Sequence, residues 1–168
     1  MHSLARIDGF EFAASGLRQA GQLPVSTLAR LHDRLASHGG ELRYEVAGVQ
    51  DAQGRPGLRI MVHGVLQVTC QRCMQETRYP VGIDETVFLA ESQTALDRQP
   101  VDADGPEWIL ASRSMDVAEL IEDELLLDIP AVLVHAVCEG GSAEADSVRT
   151  SPFEKLKGLL SKDGKPGN

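Results

Sequence analysis

The fold is decided by residues 58–70, which read LRIMVHGVLQVTC. Every second residue from Leu58 to Cys70 is apolar or a cysteine, with Gly64 as the one interruption. A period of two places these side chains on one face of a β-strand, whereas an amphipathic helix repeats its apolar residues every three to four positions. The pattern therefore predicts a half-buried strand whose buried face includes Cys70.

The segments on either side carry the same period. Residues 42–47 alternate in the same way, and the sequence DAQGRPG at 51–57 is a turn that joins them to the central strand as a hairpin. Residues 77–89 form a third alternating run. Three consecutive antiparallel strands are therefore predicted, with Cys70-Gln71-Arg72-Cys73 at the tip between the second and the third.

The rest of the chain supplies shorter elements. Leucines at helical spacing predict a helix over residues 26–36, and Asp116 and Pro130 mark the start and the end of another. Residues 107–110 are expected to add a short strand. The polar and acidic segment 92–106 is expected to be a flexible surface loop.

These elements predict an α+β fold, in which an antiparallel sheet of meander or barrel-like form is packed by helices. We expect this domain to occupy residues 1–138. Residues 139–150 are a flexible linker by composition. Residues 151–168 are predicted to form a basic amphipathic C-terminal helix and tail, because Ser151-Pro152-Phe153-Glu154 has the form of a helix start.

Charge is distributed unevenly over the 168 residues. The formal net charge is −9, which argues against a body that clamps nucleic acid over its whole surface. Residues 84–128 hold thirteen acids and two bases, a net of −11, whereas residues 149–168 hold five bases and two acids, a net of +3. Adjacent acids at 122–124 splay around a helix axis, so we interpret them as a solvated acidic face.

Composition also predicts the compartment. Three cysteines, two of them in one short motif, fit a reducing environment better than a disulfide framework. Neither an N-terminal apolar core nor a long uninterrupted apolar run is present in the sequence. We expect a cytoplasmic protein that neither spans nor binds a membrane.

The cysteines are the main candidates for chemistry. Two thiolates in a Cys-x-x-Cys knuckle converge on one point and suit a tetrahedral zinc ion, which needs two further ligands. His135 and Cys138 can supply them if the chain after Pro130 returns to the knuckle. The sequence therefore predicts a candidate zinc site formed by Cys70, Cys73, His135 and Cys138.

Two other interpretations of the cysteines stay open. Cys70 can be a small buried apolar residue and Cys73 an ordinary turn residue. A thiol-redox role is disfavoured, because redox motifs of this type usually open a helix, and this one lies between strands. The five histidines are scattered without neighbouring nucleophiles, so no catalytic residue, enzymatic activity or small-molecule substrate is predicted.

Basic and aromatic residues mark candidate contacts with RNA or a protein partner. Those in and near the hairpin, and those of the predicted terminal helix, are each able to contact a phosphate or a partner surface. They are Arg55, Arg59, Arg72, Arg78, Phe153, Lys155, Lys157 and Lys162.

Four features in fixed order resemble the bacterial YceD family, the large ribosomal RNA subunit accumulation proteins. They are Val68 to Cys73 closing a strand, the acidic helix from Asp116 to Pro130, Val134-His135 followed by Cys138-Glu139, and Ser151-Pro152-Phe153 before a basic helix. The resemblance implies a non-enzymatic role in the synthesis, processing or stability of large-subunit (23S) ribosomal RNA, in the cytoplasm.

Two routes to that role follow, contact with the ribosomal RNA precursor through the basic residues, or attraction of a basic ribosomal protein or assembly factor by the acidic segment. The alternatives are a zinc-stabilised protein-interaction module without a ribosomal role and, less favoured, a thiol-redox protein.

Overall fold

A computed structural model describes residues 6–99, 106–135 and 137–138. The elements in chain order are β1 (Arg6–Ile7), α1 (Gly9–Ala14), β2 (Arg18–Pro24), two 3₁₀ turns (Val25–Thr27 and Ala29–Leu31), β3 (Leu35–Ser37), β4 (Glu41–Gln50), β5 (Pro56–Thr69), β6 (Glu76–Ala90), α2 (Gln93–Leu96), β7 (Glu107–Leu110), β8 (Met115–Asp116) and α3 (Val117–Asp128).

One six-stranded sheet carries the fold. Its order is β2-β4-β5-β6-β7, with β3 paired to the end of β5, and β1 pairs with β8 in a separate two-stranded sheet. The predicted antiparallel hairpins are confirmed, since β5 pairs with β4 on one edge and with β6 on the other. At the far edge the sheet becomes mixed, because β7 runs parallel to β6.

The alternation of β5 is seen directly in its burial. The side chains of Leu58, Ile60, Val62, Leu66, Val68 and Cys70 are all at most 2% exposed. Gly64 interrupts the series because a Cβ there would lie 2.5 Å from Leu42 Cδ2 on the neighbouring strand. The predicted buried face of this strand is confirmed, and the gap in its pattern is a close approach between strands.

Helix α3 covers the sheet as predicted. Asp116 is its N-cap and accepts a hydrogen bond from the Ala118 N–H at 2.8 Å. Val117, Ile121 and Leu125 are fully buried in the same core cluster as β5 and β6. Among the described residues, no helix has both the length and the apolar character needed to cross a membrane.

The predicted helix over 26–36 is wrong. Leu28 and Leu31 are buried, but they lie in two separate 3₁₀ turns, and Leu28 breaks the helical path with ψ near 73°. Leu35 pairs as a strand residue with Val68 of β5. Completing the sheet edge therefore outweighs the modest local preference of this short segment for a helix.

The loop predicted over 92–106 also needs correction. Residues 93–96 form the short helix α2, capped by the Ser92 hydroxyl, which accepts a hydrogen bond from the Ala95 N–H. Residues 100–105 lie outside the described part of the chain, as do the predicted linker and C-terminal helix. The division into a domain, a linker and a tail stays a prediction.

Candidate metal centre

The connection between β5 and β6 is a tight knuckle. The Cys70 N–H donates to the Gln75 carbonyl and the Met74 N–H donates to the Cys70 carbonyl, both at 2.9 Å. Met74 completes the turn in the left-handed region, with φ of 58°. The curled backbone turns the N–H groups of Arg72 and Cys73 towards the Cys70 sulfur.

The chain after α3 returns to this knuckle. The Tyr79 hydroxyl donates to the Asp128 carbonyl at 2.8 Å, and the Gln71 N–H donates to the Leu133 carbonyl at 2.9 Å. Ile129 is buried, while Leu133 packs against the core. These contacts bring His135 and Cys138 beside the hairpin tip, which is the return that the predicted zinc site requires.

Four candidate ligand atoms meet there. The Sγ atoms of Cys70, Cys73 and Cys138 and a ring nitrogen of His135 all lie within 4.8 Å of one another. The Cys70 and Cys138 sulfurs are 3.8 Å apart, and His135 Nδ1 is 3.3 Å from Cys73 Sγ and 3.9 Å from Cys138 Sγ. A tetrahedron with Zn–S bonds of about 2.3 Å and a Zn–N bond of about 2.0 Å has edges of roughly 3.5 to 3.8 Å. The cluster is therefore able to hold a metal ion of this size and coordination.

The imidazole of His135 is oriented for such a role. Its Nε2 lies 3.0 Å from the Glu76 carbonyl oxygen, which accepts only if this nitrogen carries the proton. In the neutral imidazole, the form that binds a metal, the lone pair is then on Nδ1, which faces the sulfurs. A histidine that binds a metal is commonly fixed in this way by a carbonyl on its other nitrogen.

The surroundings favour the thiolate form of Cys70 and Cys138. The pKa of Cys73 is raised instead, because the backbone hydrogen bond from Gln75 that lowers it is outweighed by burial and by the neighbouring sulfurs. Burial raises the pKa of Cys70, but the backbone N–H groups of Cys73, His135 and Arg72 outweigh this and lower it to about 5. A hydrogen bond from Arg72 lowers the pKa of Cys138. Backbone N–H groups and a guanidinium thus stabilise the charged form of sulfur, which is the form that binds metals.

Arg72 contacts two residues of the cluster. Its Nε lies 3.0 Å from Cys138 Sγ, and its Nη2 donates to the His135 carbonyl at 3.0 Å. A dication with three thiolates and a neutral imidazole carries a net charge of −1, which one guanidinium balances. Arg72 was expected to contact RNA or a protein partner, and this role could not be predicted because the sequence gives no sign of a contact across 66 positions.

Comparison with known proteins identifies the family of this chain. The family model described as "Large ribosomal RNA subunit accumulation protein YceD" matches residues 58–160, more than half of the chain. The chain belongs to the YceD family. No match was found among curated proteins or among solved structures. The matched range begins on β5 and includes all four residues of the cluster.

Among the described residues of this YceD family member, the predicted contact arginines do not form one patch. Arg55 is bonded to Asp51, and Arg59 makes a two-point ion pair with Asp84 at 2.7 and 2.6 Å. Arg72 and Arg78 lie near the hairpin tip, at the other end of the 14-residue β5 from Arg55. Such a strand is roughly 45 Å long. Phe153, Lys155, Lys157 and Lys162 lie outside the described residues.

The prediction of a solvated acidic face at 122–124 is wrong for two of its three residues. Glu122 and Glu124 are each only 7% exposed. Glu122 accepts the Arg30 N–H at 2.7 Å and so fixes the 3₁₀ turn to α3, whereas Asp123 is exposed and paired with Arg30. Glu124 follows the buried Ile121 by three positions, and this helical spacing is the signal that indicates an inward position.

Proposed function

We propose that this protein is a zinc-structured, non-enzymatic factor that supports the synthesis, processing or stability of large-subunit (23S) ribosomal RNA in the bacterial cytoplasm. The observation that carries the proposal is the convergence of Cys70, Cys73, His135 and Cys138 within a segment that matches the YceD family. The family description supplies the ribosomal role, and the cluster suggests how the fold is held for it.

The donor set favours zinc among the common metals. Three thiolates and an imidazole are soft and borderline ligands, which suit zinc, whereas calcium and magnesium take oxygen. With all four positions filled by protein, a bound zinc ion has no open position for a substrate. It would fix His135 and Cys138 to the hairpin tip, and its role would be structural.

The same arrangement supports a recognition role for the hairpin tip. Arg72 and Arg78 are exposed on or beside the knuckle, and Met74 is 67% exposed at its apex. In this proposal Arg72 and Arg78 contact the ribosomal RNA precursor of the large subunit, and the acidic segment 84–128 attracts a basic ribosomal protein or assembly factor.

Metal analysis of protein purified without chelator tests the zinc component. We expect one zinc per chain, lost in His135→Asn and retained in His63→Asn, a matched change at an exposed histidine of β5. A metal-free native protein that keeps its fold in chelator would contradict this component.

The ribosomal component has a separate test. Cells that lack the protein should accumulate less large-subunit RNA and show a deficit of large subunits in sedimentation profiles. The wild-type and His63→Asn chains should restore both, whereas His135→Asn should not. Unchanged profiles in the deletion, or purification of the protein with only non-ribosomal partners, would favour an interaction module without a ribosomal role.

A further inference from the structure

A groove that shares no residue with the cysteine and histidine cluster lies between α3 and the β6–β7 edge of the sheet. It consists of two adjoining cavities of about 280 and 400 Å³. Glu107, Glu124 and Leu127 line both, so the cavities share one wall. One cavity is acidic and the other is mainly apolar.

Glu124 is the buried group at the centre of the groove. Its side chain is 7% exposed, and it receives neither a hydrogen bond nor an ion pair from any described residue. Burial, and then repulsion by Glu107, Glu85 and Asp123, raises its pKa to about 7. A carboxyl that is this little exposed, lines two cavities and has no donor among the described residues loses much of its hydration, so a fold that keeps one there is expected to use it.

The acidic cavity gathers further negative charge around this group. Glu85, Glu107, Glu124 and Asp128 line it, and no base does so among the described residues. Glu85 occupies the same face of β6 as the buried Ile83 and Val87, which is an unusual position for an exposed acid. Arg30 lines the second cavity, but its guanidinium is already paired with Asp123.

The apolar cavity offers a different surface. Its wall includes Ile109, Leu110, Met115, Leu120 and Leu126, and it ends at the shared Leu127. Leu110 is 48% exposed and Leu127 is 69% exposed. An uncovered apolar surface beside a charged pocket is a common form for recognition of a peptide.

We infer that this groove binds a basic segment of a partner protein, with a lysine or arginine side chain in the acidic cavity against Glu124 and a neighbouring apolar side chain in the apolar cavity. The carboxyl groups that line the acidic cavity favour a positively charged side chain. The phosphates of RNA would be repelled. A metal ion is disfavoured because, in the described residues, the four-residue cysteine and histidine cluster is the group with metal-binding geometry.

This inference rests on the proposed function for the nature of the partner, a basic protein of the large-subunit precursor, but its site and its test are independent of zinc. Binding in vitro is measured with the full-length, metal-loaded chain. A failure of peptide binding therefore leaves the ribosomal RNA phenotype intact, and a missing phenotype leaves the groove intact.

The probe is a fluorescein-labelled peptide in which lysine and leucine alternate with glycine spacers. A second peptide has arginine in place of lysine, and a matched control peptide has norleucine in place of lysine. We expect the lysine or arginine peptide to bind and the norleucine peptide to bind at least tenfold more weakly. Glu124→Gln should weaken binding at least tenfold. Glu41→Gln, the same change of charge at an exposed site on β4, should change it less than twofold.

A second measurement follows the carboxyl carbon of Glu124 by NMR. The cationic peptide should lower the midpoint of its pH titration, since an opposite charge favours the ionised form. Three outcomes would overturn the inference. They are no binding of either cationic peptide, equal losses in Glu124→Gln and Glu41→Gln, and a shift of the Glu124 signal when Lys155, Lys157 and Lys162 are replaced by glutamine, which would make the chain's own tail the occupant.

Discussion

The metal cluster and the acidic groove treat charge in opposite ways. At the cluster nearly every polar atom has a partner, from the backbone N–H groups around Cys70 to the Glu76 carbonyl on His135 and the Arg72 guanidinium on Cys138. In the groove, Glu124 is as buried as many core residues and has no described partner. A site whose polar atoms all have hydrogen-bond partners stabilises the fold, whereas a carboxyl without a described partner is available to bind a ligand.

The largest effect should come from the metal. Chelation of the wild-type protein, or Cys70→Ser, should lower the free energy of unfolding by roughly 3 kcal/mol or more, because metal-binding free energy becomes folding free energy. Urea denaturation with and without chelator measures this. Chelator should have no further effect on Cys70→Ser, and an equal effect on both proteins would contradict the assignment.

At the groove, removing the charged group should raise the free energy of unfolding, whereas removing the metal should lower it. The raised pKa of Glu124 means that the folded state binds a proton more tightly than the unfolded state, so this group's contribution is fully present below its ordinary pKa near 4.5 and is lost as the pH rises through about 7.

Glu124→Gln removes this loss, and we expect the variant to be more stable than the wild type by about 1 to 2 kcal/mol above pH 8, allowing for screening by water at the groove mouth. The difference should vanish below about pH 4, under the ordinary pKa of the carboxyl. Glu41→Gln is the control, and the measurement is a pair of denaturation curves at about pH 4 and pH 8. A Glu124→Gln variant that is less stable at pH 8 would mean that the carboxylate has a stabilising partner.

The next prediction concerns Arg72, which contacts the cluster through Cys138 and His135. Arg72→Gln should lower zinc affinity about 10- to 100-fold, the usual effect of removing a group that supports a metal ligand. Competition with a chromophoric chelator measures it, and Arg78→Gln, an exposed arginine of the adjacent strand, should leave the affinity nearly unchanged. If the two variants behave alike, Arg72 acts only through general charge.

The smallest effect is expected at a surface ion pair. Arg59 and Asp84 are about half exposed, so their coupling in a double-mutant cycle should be about 0.5 kcal/mol or less. This value sets the scale for an ordinary charged contact in this fold. A coupling above about 1.5 kcal/mol would show that water screens the sheet surface less than we assume.

The strands and the Cys70–Cys73 half of the cluster could be predicted from the sequence because their signals are local, whereas the arrival of His135 and Cys138 depends on how the chain after Pro130 returns. The period of two from Leu58 to Cys70 and the Cys-x-x-Cys spacing each lie within one short segment. The parallel pairing of β7 could not be predicted, because nothing in residues 107–110 distinguishes the two directions. The leucines of 26–36 have helical spacing, but their conformation is decided by Val68 and Glu122, which are far away in the chain.

The two halves of the cluster are separated by a long stretch of chain, since Cys70 and Cys138 are 68 positions apart. During synthesis the first two sulfurs therefore leave the ribosome well before the histidine and the last cysteine. A metal ion can join all four ligands only after Cys138 has been synthesised, so the cluster cannot close while only the hairpin tip has left the ribosome. In that interval Cys70 and Cys73 are open to oxidation, and a reducing environment matters most for the newborn protein.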